Sequence, residues 1–359
     1  MAGSVLHVVP ALFDRHDGLI GGAERYVFEL ARHMADEADT SLVTFGDANR
    51  EEKVGRLRVR VVGNPWYIRG QRANPFAFSL LDEVRRADIV HCHQPHIVAA
   101  TATALACRTT GRRVVCTDLG GGGWDISSYV STDRLFHAHL HISEYSRHVA
   151  GHAGRHWARV IWGGVDPTKF SPDAVERRTG RVLFVGRLLP HKGVDTLIRA
   201  LPAGMALDIV GHASNDRYLA DLRRLAEGRL VTFHHRFDDA ALVRAYRSAL
   251  CIVLPSVYDD MYGAHTDVPE LLGQTLLEGM ACSTPAIGTR VASIPEIVDD
   301  GVSGFLVPPN DPTALSAALR CLADNPARAR QMGDAARRSV VERFSWSAVV
   351  SRCLDAYAA

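Results

Sequence analysis

Short apolar runs of strand length alternate with helical patterns along nearly the whole chain. Runs such as residues 4–9, 88–92 and 138–142 are each followed by a segment with helical spacing of apolar residues. This alternation predicts parallel sheets with crossover helices. Ligands of such sheets bind at the carboxyl ends of the strands, so functional residues are expected in the loops that follow them.

The alternation is interrupted once, between Gly163 and Gly180, where glycine and proline predict a linker. A chain of 359 residues is too long for one ordinary core. We therefore expect an α/β protein with two Rossmann-like, doubly wound domains and a ligand cleft between them. The predicted domains are residues 1–165 and 166–340, followed by a C-terminal helix over 341–359.

Composition excludes several classes of protein. The net charge of +1 gives no electrostatic footprint for nucleic acid. No run of about 20 apolar residues is present, so no transmembrane segment is expected. The chain opens on an apolar strand at Val5 without a basic leader, which predicts no signal peptide and a cytoplasmic location. The seven cysteines form no CxxC motif and are read as reduced core residues.

Histidines alternate in two places, at His91, His93 and His96, and again at His137, His139 and His141. A metal site is one interpretation of this spacing, and we favour scattered polar roles over it.

Two carboxylates, Glu270 and Glu278, flank an apolar run that predicts the start of a helix. Pro269 suits the turn before a helix, so we place Glu270 in the preceding loop. Carboxylates beside a helix N-terminus suit a ligand with both hydroxyls and phosphates, such as a nucleotide sugar. The alternative is an amphipathic helix with a solvated glutamate at each end.

A second candidate element follows the strand at 182–185, where Gly186, Arg187 and Lys192 occur in succession. A glycine at a strand end lets the backbone approach a ligand closely. Two cations at the mouth of a parallel sheet suit a diphosphate. The alternative is a surface loop with two solvated cations.

With these elements in place, the chain resembles the retaining family-4 glycosyltransferases, which have the GT-B fold. The resemblance covers nearly the whole chain, and it is specific because the motifs occur in the family's order. They are Gly21–Arg25, Asp88–His93, Ser143–Ser146, Gly163–Pro172 (with Gly163 in place of the usual Asn), Phe184–Gly193, Glu270–Glu278 and Ile294–Gly301.

The resemblance implies a GT-B fold, with two domains facing across a cleft and a C-terminal helix that crosses back to the first. It implies transfer of a hexosyl or N-acetylhexosaminyl group from a nucleotide-diphosphate sugar to an acceptor hydroxyl. Arg187 and Lys192 would bind the diphosphate, Glu270 the transferred sugar and Glu278 the ribose. The implied catalytic residues are Arg187, Lys192 and Glu270.

The resemblance implies further donor contacts through glycines and through backbone N–H groups at the helix start. It also implies a nucleobase contact by one loop of the second domain, for which simple exposure to solvent is the alternative. These residues are Gly21, Gly22, Gly186, Leu271, Leu272, Gly273, His235 and Arg236. A UDP-sugar is the expected donor, with a GDP-sugar as the alternative. The absence of an Asp-x-Asp motif predicts metal-independent transfer without a cofactor.

The first domain departs from the family at Leu119, which stands where many members have a histidine. The neighbouring Asp118 has either a polar role near the sugar or a loop-capping role. Trp124 and Asp125 follow a run of four glycines, and they either face an acceptor or hold the loop in place. We assign His93, Asp118, Trp124 and Asp125 to the acceptor side.

A second departure is the stretch from Val257 to Val268, which is longer than in the family. This stretch is part of the substrate pocket, a lid or a subunit contact, and the sequence does not decide among these three roles.

Three other functions compete with glycosyl transfer. A dinucleotide-dependent oxidoreductase needs a GxGxxG turn, and Gly120–Gly123 lacks that context. A GT-B-fold sugar-nucleotide epimerase and a non-catalytic nucleotide-sugar binder are the alternatives that remain. We expect a sugar-containing or small-molecule acceptor. No basic amphipathic helix is evident, and peripheral membrane contact and oligomeric state stay open.

Overall fold

The computed structural model describes residues 3–10, 22–173 and 180–359. Contacts divide the chain into two compact units, residues 1–164 with 346–359, and residues 165–345. Each unit is built on its own sheet.

In its described residues, the first unit contains ten strands and four helices before the linker. The strands are Val5–Val8 (β1), Thr40–Gly46 (β2), Arg50–Val54 (β3), Leu57–Gly63 (β4), Trp66–Tyr67 (β5), Pro75–Phe76 (β6), Ile89–His93 (β7), Arg113–Thr117 (β8), Ala138–His141 (β9) and Ala158–Val160 (β10). The helices are Gly22–Glu37 (α1), Leu80–Val84 (α2), Val98–Thr110 (α3) and Glu144–Val149 (α4).

The main sheet of this unit has the order β10-β9-β8-β7-β1-β2-β4-β3. Its strand pairs are parallel except that β3 runs antiparallel to β4. The chain moves outward from β1 on one side and returns to fill the other side from β7. This doubly wound order confirms the predicted Rossmann-like topology and places a switch point between β1 and β7.

The second unit repeats the design, with six strands and seven helices over residues 165–173 and 180–345. The strands are Arg181–Val185 (β11), Ala206–Val210 (β12), Leu230–His234 (β13), Cys251–Leu254 (β14), Ala286–Thr289 (β15) and Gly304–Val307 (β16). The helices are Val194–Ala200 (α5), Asp216–Leu225 (α6), Asp239–Ser248 (α7), Gln274–Ala281 (α8), Ile294–Ile297 (α9), Pro312–Asp324 (α10) and Pro326–Arg343 (α11).

The strand order in this unit is β13-β12-β11-β14-β15-β16, with every pair parallel. The predicted doubly wound sheet is confirmed here too, with the switch point between β11 and β14. Asn215, Asp238 and Asp311 cap α6, α7 and α10 by accepting backbone N–H groups, which fixes where these helices begin.

The last helix, Trp346–Ala358 (α12), packs against α1 in the first unit. The ring of Trp346 lies 5.3 Å from that of Tyr26. A Cβ at Gly164 would lie 2.2 Å from the Trp346 ring, so only glycine fits beside it. The second unit ends at Ser345, whereas the sequence predicted its end five residues earlier, at residue 340.

The stretch from Gly63 to Phe76 contains a short hairpin between β5 and β6. The buried Asn74 organises it, because its amide donates to Trp124 O at 2.7 Å and accepts from Val98 N at 3.1 Å. A fully bonded polar side chain of this kind leaves no periodic signal in the sequence.

Among the described residues, none of the helices combines the length and apolar character needed to cross a lipid bilayer.

Candidate active site

The loops that follow β11 and β14 meet because these strands are neighbours in the sheet. A short 3₁₀ turn, Pro190–Lys192, leads into α5 through Gly193. Gly193 has a φ of +65°, and a Cβ there would lie 2.0 Å from the carbonyl oxygen of Pro255. Val257 N donates to His191 O at 2.8 Å. The glycine thus permits close contact between loops that are far apart in sequence.

This contact brings Lys192 to Glu270. Lys192 Nζ lies 2.7 Å from Glu270 Oε2 and donates to Pro269 O at 3.1 Å. The two side chains are 13% and 14% exposed. The structure therefore joins two of the three predicted catalytic residues in a largely desolvated ion pair.

Glu270 lies in the loop before α8, as predicted. Its Oε1 accepts the backbone N–H of Gly273 at 3.1 Å, and Ser293 Oγ donates to its carbonyl oxygen at 3.2 Å. Gly273 has a φ of +92° and precedes the first helical residue, Gln274. Both carboxylate oxygens are thus oriented, and each keeps a further lone pair for a ligand.

Glu278 sits inside α8 and is only 7% exposed. Its Oε2 accepts a hydrogen bond of 2.8 Å from the hydroxyl of Tyr246, a fully buried residue of α7. The next residue, Gly279, packs tightly on β14, since a Cβ there would lie 2.8 Å from Ile252 Cγ2. Sequence reasoning missed Tyr246, which looked like an ordinary apolar position of a helix.

Arg187 follows Gly186 at the end of β11, and its side chain is exposed. Gly186 N donates to Val210 O at 3.0 Å, which holds this strand end in the sheet. His191 also belongs to the region, although it was not predicted as a site residue. Burial, and then the charge of Lys192, lowers its pKa, so the ring is neutral near pH 7.

His235 and Arg236 are exposed in the loop after β13. His235 Nε2 lies 3.1 Å from Nδ1 of His212, which follows the neighbouring strand β12. The structure thus adds His212 to the predicted pair. Leu271 is partly buried, whereas Leu272 is 6% exposed and its side chain belongs to the core.

Of the predicted donor contacts in the first unit, Gly22 is exposed at the first position of α1. Gly21 lies outside the described residues. His93 is 1% exposed, and its Nε2 lies 3.0 Å from Nδ1 of His7. The ring of His93 is therefore part of the interior and is not presented to solvent.

The loop after β8 is held together by its own polar residues. Asp118 Oδ1 accepts the N–H of Gly120 at 2.9 Å. Asp125 is 2% exposed and accepts from Thr101 Oγ1 at 2.8 Å. The Arg69 guanidinium lies 4.2 Å from the centre of the Trp124 ring. Asp118 and Asp125 thus have capping contacts, and Trp124 is partly buried beneath the Arg69 guanidinium.

The long stretch from Val257 to Val268 is a folded part of the second unit. Tyr262 donates its hydroxyl to Asp221 Oδ2 at 2.6 Å, and Tyr258 accepts the N–H of Ala292 at 3.0 Å. Asp260 Oδ1 accepts two backbone N–H groups within the stretch. These hydrogen bonds hold the stretch in place, so they favour a rigid part of the second unit over a mobile lid.

Two family profiles together match most of the chain. Residues 20–169 match the profile of Glycosyltransferase Family 4, and residues 168–339 match that of Glycosyl transferases group 1. An uncharacterized glycosyltransferase of Methanocaldococcus jannaschii is 26% identical, over 94% of both chains. Glycogen synthase of Mycobacterium tuberculosis is 32% identical over 56% of this chain. The match spans about half of that enzyme's length (48%).

The fold is shared with solved structures. The Anabaena protein HepE, crystallised with UDP and glucose, superposes with a TM-score of 0.70 at 19% identity, covering 98% of each chain. The two profiles together span both units, and the sheets have the topology of the GT-B fold. The chain therefore belongs to glycosyltransferase family 4 and is a GT-B-fold enzyme that transfers a sugar from a nucleotide-sugar donor.

Proposed function

We propose that this enzyme moves a hexosyl or N-acetylhexosaminyl group from a nucleotide-diphosphate sugar to an acceptor hydroxyl, with retention of configuration and without a divalent metal. The observation that carries the proposal is the ion pair between Lys192 and Glu270 at the start of α8. It fixes one cation and one hydroxyl acceptor at the same edge of the sheet, where the loops after β11 and β14 meet.

Positive charge at this edge of the sheet suits a departing nucleoside diphosphate. Lys192 is held by Glu270 and by the carbonyl of Pro269, so its ammonium needs little rearrangement to stabilise developing negative charge. Arg187 supplies a second, exposed cation after the same strand. The two cations would serve the role that a carboxylate-bound metal serves in other transferases.

Two glutamates suit the two sugars of such a donor. Glu270, beside Lys192, would accept hydroxyls of the transferred sugar. Glu278, oriented by Tyr246, would accept the ribose hydroxyls. We also assign Leu271, Leu272 and Gly273, at the start of the helix, to the donor; the N–H of Gly273 acts there by holding Glu270 Oε1.

The remaining donor contacts come from three loops. We assign Gly186 to the diphosphate, His235 and Arg236 to the nucleobase, and Gly21 and Gly22 to the diphosphate from the first domain. In this division residues 1–165 bind the acceptor and residues 166–340 the donor.

The chemical step that we propose takes place on one face of the sugar. The bond between the anomeric carbon and the phosphate oxygen breaks, and the acceptor oxygen bonds to the anomeric carbon from the same side. The acceptor proton passes to an oxygen of the leaving phosphate. A double displacement would need a free carboxylate nucleophile, whereas Glu270 is engaged by Lys192 and by Gly273 N.

UDP-sugars are the first donors to test, because the HepE structure contains UDP and glucose; GDP-sugars come second. The acceptor is a sugar-containing or small molecule. We place the enzyme in the cytoplasm, which fits seven cysteines without a disulfide.

The deciding experiment measures nucleotide release from UDP-, GDP-, ADP- and dTDP-sugars, with and without acceptors and in excess chelator. We expect acceptor-dependent release that chelator does not abolish, and NMR of the product should show the donor's anomeric configuration. A changed donor sugar without acceptor would indicate an epimerase. Binding without release would indicate a non-catalytic binder, and loss of activity that magnesium or manganese restores would refute metal independence.

A further inference from the structure

A cluster of metal-ligand side chains lies in the first unit, whereas Lys192 and Glu270 belong to the second. Asp133 is in a 3₁₀ turn before β9, His139 is in β9, and His152 follows α4. One ligand atom from each lies within 4.8 Å of the others. The glycosyl-transfer proposal gives these three residues no task.

The spacing of the atoms fits a shared metal ion better than direct contact. Asp133 Oδ2 lies 3.6 Å from His152 Nε2, and the other oxygen, Oδ1, lies 4.0 Å from His139 Nε2. Both distances exceed a hydrogen bond. Two ligands of a tetrahedral Zn²⁺, each about 2.0–2.2 Å from the ion, are separated by roughly 3.3–3.6 Å. One oxygen of the partly exposed Asp133 lies within 4.8 Å of both Nε2 atoms, and a rotation of this side chain would bring it to that separation.

The outward nitrogens of both histidines have partners. His152 Nδ1 lies 3.1 Å from His141 Nε2, and His139 Nδ1 lies 3.1 Å from Cys116 Sγ. Metal-binding histidines are held in this way, by a contact to the ring nitrogen that does not bind the metal. The contacts leave both Nε2 atoms directed toward Asp133.

One competing contact is present, since His139 Nε2 also lies 3.2 Å from the carbonyl oxygen of Asp133. Without metal this nitrogen carries the ring proton and donates it to that carbonyl. Metal binding moves the ring proton to Nδ1, which faces the weak acceptor Cys116 Sγ.

The surroundings favour neutral imidazoles and still allow entry. The side chains of His139 and His152 are 7% and 11% exposed, and that of Asp133 is 37% exposed. The Trp157 ring lies 5.0 Å and 4.7 Å from the two histidine rings. Metals bind the neutral imidazole, and the exposed carboxylate offers the path inward.

A second histidine group, His7, His91 and His93, is better described as a hydrogen-bonded network. His7 Nδ1 and His93 Nε2 lie at hydrogen-bond distance, 3.0 Å. Both ring nitrogens of His91 are engaged, one by Tyr357 and the other by Thr117.

We propose that Asp133, His139 and His152 form a Zn²⁺ site, with water as the fourth ligand, that ties the turn before β9 to the segment after α4. Two imidazoles and one carboxylate are ligands that zinc accepts in tetrahedral sites. The site holds the fold and takes no part in sugar transfer.

The test titrates untagged, chelator-treated protein with Co²⁺ and then with Zn²⁺. We expect one Co²⁺ per chain with the visible absorption of a tetrahedral site, displaced by one Zn²⁺. Asp133→Asn and His152→Gln should each weaken Zn²⁺ affinity at least tenfold, and His141→Phe, which removes a supporting contact, about 10–100-fold.

His156→Gln is the matched control, since His156 is exposed four residues after His152, and its Zn²⁺ affinity should equal that of the unaltered protein. If His152→Gln fails to fold, Asp133→Asn decides, because it replaces a partly exposed carboxylate by an amide of the same shape. No stoichiometric Co²⁺ binding by the unaltered protein, or unchanged affinity in Asp133→Asn, would overturn the proposal.

Discussion

Lys192 and Glu270 are 78 residues apart in the sequence and form an ion pair of 2.7 Å between two loops of the second unit. Each side chain is mostly shielded from water. The pair places a cation and a hydroxyl acceptor side by side, which is what a donor with a diphosphate and a sugar requires.

Lys192→Ala should lower kcat by about 10²–10³ because it removes a fixed cation from the leaving group. It should also destabilise the protein by about 1–3 kcal/mol, since Glu270 stays buried without its partner. Arg187→Ala should reduce turnover with little change in Tm, because Arg187 is exposed. Donor turnover and urea unfolding measure both effects.

The control for this comparison is Lys169→Ala, which breaks another lysine–carboxylate pair of the second unit. Lys169 Nζ lies 2.6 Å from Asp239 Oδ2, but the side chains are 33% and 56% exposed. Such a pair contributes about 0–1 kcal/mol. Wild-type turnover in Lys192→Ala would contradict the assigned role.

Glu270 and Glu278 should separate catalysis from nucleotide binding. Glu270→Gln should lower kcat far more than the affinity for UDP, because it affects the transferred sugar. Glu278→Ala should weaken UDP binding more than it lowers kcat at saturating donor. Calorimetric titration with UDP and steady-state kinetics test this, and equal losses of UDP affinity in both variants would show the division to be wrong.

Tyr246→Phe should raise the donor KM by up to about 10–100-fold while kcat changes little. A hydrogen bond to a charged group contributes about 1.5–3 kcal/mol, and here it orients Glu278. Tyr218→Phe is the matched control, since Tyr218 is equally buried and its hydroxyl bonds to Asp195 at 3.1 Å. The control should lower stability and leave the donor KM unchanged. A shift of KM in both variants would indicate a general packing effect.

Acid should destabilise the first unit through its buried histidines. Burial lowers the pKa of His7 to about 3, from an ordinary value near 6.5. His91 and His93, which face it, also have lowered pKa values through burial. Below pH 6.5 the unfolded chain therefore binds more protons than the folded one, so stability is complete above pH 6.5 and falls as the pH decreases toward 3.

Each such histidine contributes a slope of about 1.4 kcal/mol per pH unit in that window. His7→Asn, which cannot titrate there, should reduce the slope between pH 6 and pH 5 by about that amount. All five tryptophans, Trp66, Trp124, Trp157, Trp162 and Trp346, belong to the first unit. Tryptophan fluorescence during urea unfolding therefore follows this unit. The exposed His156→Asn should keep the full slope; the same slope in His7→Asn would exclude the buried-histidine explanation.

The sheets were predictable because their strands are apolar runs, and the segments between many of them have apolar residues at helical spacing. Buried strands such as β7 and β14 show this pattern clearly. The exposed β3 and the short β10 were missed, because a strand at the edge of a sheet need not carry a continuous apolar pattern. The position of Glu270 before α8 followed correctly from Pro269 alone.

Contacts that depend on tertiary structure were not predictable. Tyr246 is far from Glu278 in sequence, and a tyrosine on a helix is most often a packing residue. Asp125 was interpreted as an acceptor contact, yet the structure buries it as a cap that accepts from Thr101. A carboxylate that caps a loop and one that binds a ligand look alike until their partners are known.

The place of α12 in the first unit bears on the order in which the chain folds during synthesis. The second unit is one continuous segment, residues 165–345, and all of it precedes α12. The first unit needs α12, because Tyr357 bonds to His91 across 266 residues of sequence. On a ribosome the second unit can therefore complete its fold before the first, although the first begins earlier. Until Trp346 and Tyr357 emerge, the surface of α1 that they cover stays exposed to chaperones and to other nascent chains.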